Sequence, residues 1–130
     1  MTPKPEIITF LIADQVIQEK GTHKWSAIGI FDHIVTDKFP LVHASLGLYV
    51  KLTEAEGDYK IRIELTDAAT NKLGVFEGIN LKMESRLASF DFGIQTRHLH
   101  LPQPGKYHFD LYFNDQLCKS LPLIVSQRNN

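Results

Sequence analysis

Two histidines separated by one residue, His98 and His100, form the most metal-like motif in the chain. On a strand, both imidazoles would project from the same face, because side chains alternate between the two faces. Imidazole nitrogen is a common zinc ligand, and a zinc site takes three or four protein ligands. His108, on the next predicted strand, is the candidate for a third ligand. The alternative is that these are exposed strand residues, since the motif has no cysteine or carboxylate beside it.

Two aspartates, Asp14 and Asp32, each close an apolar segment. Paired carboxylates at one end of a sandwich could act as an acid–base couple or bind calcium. Calcium needs several oxygen ligands, however, and the chain has no Asp-x-Asp cluster. An aspartate at a strand end more often bonds to the backbone of its own turn, so we interpret both residues as structural.

Nucleophilic catalysis has little support in the sequence. Asp32 and His33 are adjacent, so on a strand they would point to opposite faces. No serine lies in a Gly-x-Ser-x-Gly context, and the single cysteine, Cys118, has only Lys119 as a cationic neighbour in sequence. The sequence therefore predicts no catalytic residue and no cofactor, and we expect that the protein is not an enzyme.

The elements that would position these residues are strands, because apolar residues recur with period two along most of the chain. The clearest segment is Tyr59–Asp67, in which Tyr59, Ile61, Ile63 and Leu65 share one face. Turn signals such as Pro102-Gln103-Pro104-Gly105 separate about eight such segments. The pattern predicts an all-β, single-domain antiparallel two-sheet sandwich over residues 1–130, Ig-like or related. Within it, Leu101–Tyr107 resembles the corner of Ig-like sandwiches in which a tyrosine hydroxyl ties the turn to the sheet.

Irregular positions interrupt this pattern in several places. The apolar positions change phase between Gln95 and His98, which predicts a bulge or break there. Glu77-Gly78 predicts a second bulge, and Pro122 predicts an edge strand or bulge. The segment Asp32–Val42 is less regular and is interpreted as a packed loop.

The charge balance excludes one large class of partner. The chain has 14 Lys and Arg against 15 Asp and Glu, interspersed, for a net charge of −1. A nucleic-acid-binding protein normally shows a basic stripe, so we expect no nucleic-acid partner. The apolar stretch Ile7–Ala13 is too short to span a membrane. Glu6 and Asp14 flank it and Thr9 interrupts it, so we interpret it as a strand and not as a signal peptide. A lone cysteine forms no internal disulfide. We therefore expect no membrane partner and a cytoplasmic location.

Three segments together resemble a known group of proteins. These are Glu6–Asp14, Trp25–Ile34 and Pro104–Phe109. They resemble an uncharacterised bacterial family of small β-sandwich proteins of unknown function. The resemblance implies a bacterial source and a sandwich fold, and it brings no activity and no catalytic residues.

The first two predicted strands are apolar on both faces, although a sandwich strand needs only one buried face. The residues available to a partner would be Ile8, Phe10, Ile12, Ile28 and Ile30. Either the Asp32–Val42 loop or another subunit should cover the second face, since an exposed patch of that size is unusual on a monomer. We therefore expect a non-enzymatic interaction or assembly module that forms a homo-oligomer or binds an unidentified protein. The alternative is a small-ligand or metal-binding protein that uses the histidine face.

Overall fold

Alternating apolar residues form nine strands and no helix in the computed structural model, which describes residues 2–128. In chain order the strands are β1 Glu6–Gln18, β2 Trp25–Ile30, β3 His33–Thr36, β4 Leu41–Thr53, β5 Gly57–Thr66, β6 Lys72–Met83, β7 Phe90–Leu101, β8 Gly105–Phe113 and β9 Gln116–Gln127. The predicted all-β fold is confirmed. The prediction of a packed loop over Asp32–Val42 was wrong, because this segment contains β3.

The strands form two sheets. A four-stranded sheet has the order β2-β1-β4-β7, and a five-stranded sheet, curled into a half-barrel, has the order β3-β9-β8-β5-β6. Neighbouring strands are antiparallel except β3, which pairs parallel with β9 from His33↔Ile124 onward. Pro122 lies before this pairing begins, on the part of β9 that has no neighbour on the β3 side. A proline is tolerated there because its missing N–H removes no ladder bond.

One core lies between the two sheets. The predicted apolar face of β5 is buried in it, together with the inward residues of β4 and β8. Its largest fully buried side chains include Tyr107, Phe109, Phe113, Leu48, Leu52, Ile61, Ile63, Leu65 and Leu111. At the corner between the sheets, the Tyr107 hydroxyl donates a hydrogen bond to Gln103 O and accepts one from Gln103 N. The predicted tyrosine tie at this corner is therefore confirmed.

The predicted phase change in β7 occurs at His98, but without the extra residue that we expected. His98 adopts a left-handed conformation with φ of 56°, and the β4–β7 pairing passes from His43↔Leu99 to Ser45↔Arg97 with no register shift. In β4, the inward-facing residues change from odd to even numbers next to Ser45, which pairs with Arg97 beside His98. Both strands therefore switch faces at the same point of the ladder. The prediction of a bulge or break was wrong because a matched turn in two paired strands needs no insertion.

The hairpin of β1 and β2 folds back over the outer face of its own sheet. β1 pairs with β4 only as far as Ala13↔Gly47 and then leaves it. A Cβ atom on Gly47 would lie 2.9 Å from the backbone nitrogen of Val16, and one on Gly93 would lie 2.5 Å from Cζ3 of Trp25. The two glycines therefore provide the space that the hairpin occupies.

A single side-chain amide holds β1 where it leaves β4. Gln95 Oε1 accepts a hydrogen bond from Val16 N at 2.9 Å, and its Nε2 donates to Asp14 O at 3.0 Å and to Ser45 Oγ at 2.7 Å. The bonds to Val16 N and Asp14 O satisfy backbone groups of β1 that no longer pair with β4. The second apolar face of β1 is thus partly covered by the hairpin, and Ala13 is fully buried.

Gly93→Ala should lower the free energy of unfolding by about 1–3 kcal/mol, because the added methyl group displaces Trp25. Urea unfolding measures this loss. Trp25 is the single tryptophan of the chain, so its fluorescence maximum in the folded protein should also move to longer wavelength. Gly74→Ala is the matched control, because a Cβ atom there meets nothing within 4 Å. Equal effects of the two substitutions would contradict this account of the hairpin.

Candidate functional site

The structure does not bring the three candidate metal ligands together. His98 and His100 lie on β7 in the four-stranded sheet, whereas His108 lies on β8 in the five-stranded sheet. His100 and His108 each lie between buried neighbours in sequence, so they point outward from different sheets. Our assumption that His108 is on a strand adjacent to β7 was wrong, because the chain changes sheets at the corner between them. Among the described residues, no group of three or more His, Cys, Asp or Glu side chains is placed to hold a metal ion.

The other candidate residues are two aspartates, a histidine and a cysteine. The backbone carbonyl oxygen of Asp14 accepts a hydrogen bond from Gln95 Nε2, and that of Asp32 accepts one from Ile124 N at 2.9 Å, whereas both aspartates are exposed. His33 Nε2 lies 2.7 Å from Ser126 Oγ, next to the β3–β9 pairing. Burial raises the pKa of the Cys118 thiol, which disfavours the reactive thiolate.

The apolar candidates divide into two groups. Phe10 and Ile12 are 9% and 2% exposed and belong to the core. The prediction that these two residues are available to a partner was therefore wrong. Ile8, Ile28 and Ile30 are 52%, 51% and 63% exposed. The Asp32–Val42 segment leaves these three uncovered, because its strand β3 joins the five-stranded sheet instead. Ile8 is the extra residue of a bulge between Ile7 and Thr9, which explains why β1 is apolar on both faces.

Ile17 belongs with the exposed group, although sequence reasoning missed it. It is exposed on β1 and paired with Ser26, two positions along the ladder from the Gln15↔Ile28 pair, so it shares a face with Ile28. Gln15, Gln18 and Glu19 surround it and make this part of the sequence polar. The β-branched pair Val16-Ile17 is the signal that could have extended the strand.

The four sheet edges differ in how well they are protected against pairing with another strand. Native edges are blunted by charges, bulges, proline or shortness. β3 has four residues, β6 carries the predicted Glu77-Gly78 bulge opposite Arg62, and β7 carries Arg97 beside the left-handed His98. β2, with the sequence Trp-Ser-Ala-Ile-Gly-Ile, has no charge and no proline and is longer than the equally uncharged β3, although its Gly29 is left-handed with φ of 71°. We call β2 with the exposed Ile17, Ser26, Ile28 and Ile30 side chains the β2 edge surface.

The outer face of the five-stranded sheet is the main polar alternative. Arg62 Nε donates to Glu64 Oε2 at 2.8 Å, Lys72 Nζ lies 3.3 Å from the same oxygen, and the Arg62 guanidinium lies 4.1 Å from the centre of the Tyr112 ring. Next to them, the Asp110 carboxylate accepts hydrogen bonds from Thr66 and Ser120. These groups satisfy one another across four strands, β5, β6, β8 and β9. The network therefore stabilises the sheet and leaves few free groups for a ligand.

A groove of about 620 Å³ lies beside this network, at the β6 bulge. Its polar walls come from both signs of charge, including Lys60, Glu77 and the Asp115 carboxylate that pairs with Arg62. The mixture selects no particular class of ligand.

These features define a small two-sheet β-protein with one uncharged, partly apolar open edge. The chain belongs to DUF6941, a family of unknown function, whose model matches residues 8–126. The resemblance to an uncharacterised family is thereby confirmed. No curated protein matches the chain. Residues 2–128 contain no helix long and apolar enough to cross a membrane.

Glu64→Gln should lower the free energy of unfolding at pH 7 by about 1–2 kcal/mol, because a charge-assisted bond to Arg62 is lost. That hydrogen bond holds the pKa of Glu64 below its ordinary value of 4.5, so its contribution is present above pH 4.5 and is lost as the pH falls through the folded-state pKa. The difference between wild type and variant should therefore shrink in acid. Urea unfolding at several pH values measures it, with the exposed Glu84→Gln as control. A difference that stays constant with pH would contradict the structural role of this pair.

Proposed function

We propose that this protein is a non-enzymatic assembly module that self-associates by pairing its β2 edge with β2 of a second copy. One observation carries the proposal: β2, the longer of the two edge strands without charge or proline, exposes Ile28 and Ile30 by half or more of their surface. Soluble proteins normally protect such an edge, because it is a template for another strand.

Strand addition would satisfy both the backbone and the side chains of β2. The strand is hydrogen-bonded only to β1, so the backbone groups on its other side have no strand partner in the described chain. A second extended strand would form main-chain hydrogen bonds there, and its side chains would cover the exposed isoleucines. Since Trp25–Ile30 carries no charge, two copies can approach antiparallel without like charges meeting across the ladder.

The geometry favours a closed dimer over a fibre. In an antiparallel pairing of two identical strands, each copy contributes the same edge, so the contact is related by a two-fold axis. Both β2 edges are then used, and the two four-stranded sheets become one sheet of eight strands. The other three edges carry the charges, bulge or shortness that oppose further addition.

A non-enzymatic role is supported by the lack of an activated nucleophile among residues 2–128. Burial raises the pKa of the Cys118 thiol, and His33, whose Nε2 lies 2.7 Å from Ser126 Oγ, has no carboxylate partner that could orient it as a base. The metal or small-ligand alternative receives no comparable support, because the histidines that suggested it point outward from different sheets.

We extend the proposal to the fold relationship, the cellular location and the source of the protein. An Ig-like relationship is supported by the Tyr107 tie at the corner between the sheets. A cytoplasmic location is supported by the single, free Cys118, since extracellular sandwiches commonly carry a disulfide. A bacterial source rests on the sequence resemblance described above.

Ile28→Lys should weaken self-association by at least about tenfold, because it places two like charges at the contact and removes apolar surface. Analytical ultracentrifugation over a concentration series measures the mass, which should rise from 14.8 kDa toward twice that value for the wild type. Ile8→Lys is the matched control, since Ile8 is equally exposed but lies on the β1 bulge. A wild-type protein that stays monomeric, or equal effects of the two substitutions, would overturn the proposal.

A further inference from the structure

We infer that a cavity at the crossing from β2 to β3 binds a small alkylammonium ligand, with the Asp14 carboxylate as its counter-ion. The cavity has a volume of about 360 Å³, and none of the outward-facing His98, His100 and His108 lines it. The inference does not depend on the proposed self-association, so a wild-type protein that stays monomeric would leave it unchanged.

Four segments of the chain meet at this cavity. β1 has just left β4 when it reaches Asp14, and the chain passes from the four-stranded to the five-stranded sheet between Ile30 and His33. β4 adds His43 from the first part of that strand. The topology therefore brings an aspartate and two histidines to one cavity, although they belong to three different strands.

The Asp14 carboxylate places a negative charge at the wall of this cavity. Gly29 is left-handed, with φ of 71°, and a Cβ atom on it would lie 2.9 Å from Cγ of Asp14. The glycine thus leaves the space that the carboxylate occupies. Asp14 is exposed and forms no ion pair within residues 2–128, although Arg97 lines an adjoining cavity with it. A cation that enters the cavity would therefore meet a carboxylate without a counter-ion.

His43 contributes an unsatisfied nitrogen. Its Nε2 atom is closed off from solvent and has no hydrogen-bond partner within the described residues. The imidazole packs beside the Phe31 ring, with ring centres 6.1 Å apart. Buried polar atoms are nearly always hydrogen-bonded, because an unpaired one is unfavourable. An N–H group of a ligand in the cavity that His43 lines would supply the missing partner.

The lining favours an organic cation over other ligands. Asp14 is the one lining residue with a formal charge at neutral pH, since an imidazole is mostly neutral above pH 7 and keeps one nitrogen as an acceptor. A carboxylate, the acceptor nitrogens of His33 and His43 and the Phe31 ring all favour a positive charge that carries N–H donors. A metal ion fits less well, because no three His, Cys, Asp or Glu side chains among the described residues are placed to hold one.

The apolar part of the lining determines the rest of the ligand. Ile30, Phe31 and Ile34 place hydrocarbon beside the polar groups. Ligand cavities commonly range from about 300 to 1,000 Å³, so one near the lower limit takes a short hydrocarbon chain. The chemistry fits a free primary amine or the end of a lysine side chain from another protein.

The test uses butylamine as the probe, with butanol and butyrate as the neutral and anionic compounds of the same chain length. Each is titrated into the isotope-labelled full chain at about pH 8, where imidazoles are neutral, and amide shifts are followed by NMR. Butylamine should shift the amides of Gly29, Phe31 and His43 saturably and bind at least about tenfold more tightly than the other two. Equally tight binding of butanol or butyrate, or no saturable shift with butylamine, would overturn the inference.

Asp14→Asn should weaken butylamine binding by at least about tenfold, because it removes the counter-ion. Asp14 bonds to Gln95 through its backbone carbonyl oxygen, which the substitution retains. Asp32→Asn is the matched control, since Asp32 is also exposed but lines the neighbouring cavity beside Leu121, and it should leave binding unchanged. Equal losses in the two variants, or a loss only with Asp32→Asn, would show that this cavity is not the site.

His43→Phe keeps an aromatic ring in place but removes both nitrogens. It should weaken butylamine binding several-fold and raise the urea concentration at the unfolding midpoint of the free protein, because no buried nitrogen is left unpaired. Opposite effects on binding and stability are the mark of a residue kept for a ligand. Unchanged binding would overturn the role of His43.

The amide of Nα-acetyl-lysine separates the two sources of the ammonium group. If it binds as tightly as butylamine, the natural ligand is a lysine side chain of another protein. If butylamine alone binds, the natural ligand is a free amine. Binding of neither compound would overturn the inference.

Discussion

The hydrogen bonds of the Gln95 side-chain amide hold the β1–β2 hairpin in place, and the β2 edge surface depends on the position of that hairpin. β1 leaves β4 after Ala13, and Gln95 bonds to the backbone of Asp14 and Val16 where no strand does so. Gly47 and Gly93 provide the space into which the hairpin then folds. Without this arrangement, the β1–β2 hairpin would extend past the sheet with both faces in water. With it, one face packs on the sheet and only the other face and the outer edge of β2 remain open.

This arrangement also explains the unusual composition of the first two strands. They are apolar on both faces because each meets two environments. Phe10 and Ile12 face the core, whereas Val16 and Trp25 pack against the outer face of the same sheet. The exposed Ile17, Ile28 and Ile30 have no partner within the described chain. In contrast, the polar outer face of the five-stranded sheet satisfies its own charges through Arg62 and its neighbours.

Period-two alternation was enough to predict the all-β fold and most of the strands, because these depend on local burial. The likeness of Leu101–Tyr107 to the corner of Ig-like sandwiches was enough to predict the tyrosine tie, because that tie depends on local turn chemistry. Alternation was not enough for features that depend on pairing. The left-handed His98 replaces a bulge only because β4 turns with it, and β3 is too short to show a period. The residues of the candidate surface were likewise predicted only in part. Ile28 and Ile30 were predicted, but Phe10 and Ile12 look the same in sequence, and only the bulge at Ile8 determines which face is buried. His108 was misplaced because sequence neighbours need not share a sheet.

The central claim, that the outer edge of β2 pairs with a second copy, is tested most directly by amide hydrogen exchange measured at low and high protein concentration. Amides within Ser26–Ile30 that β1 leaves unpaired should exchange rapidly in dilute protein and slow markedly as the concentration rises. Amides on the outer edge of β6 should keep the same rates. Exchange in Ser26–Ile30 that does not change with concentration would contradict the account.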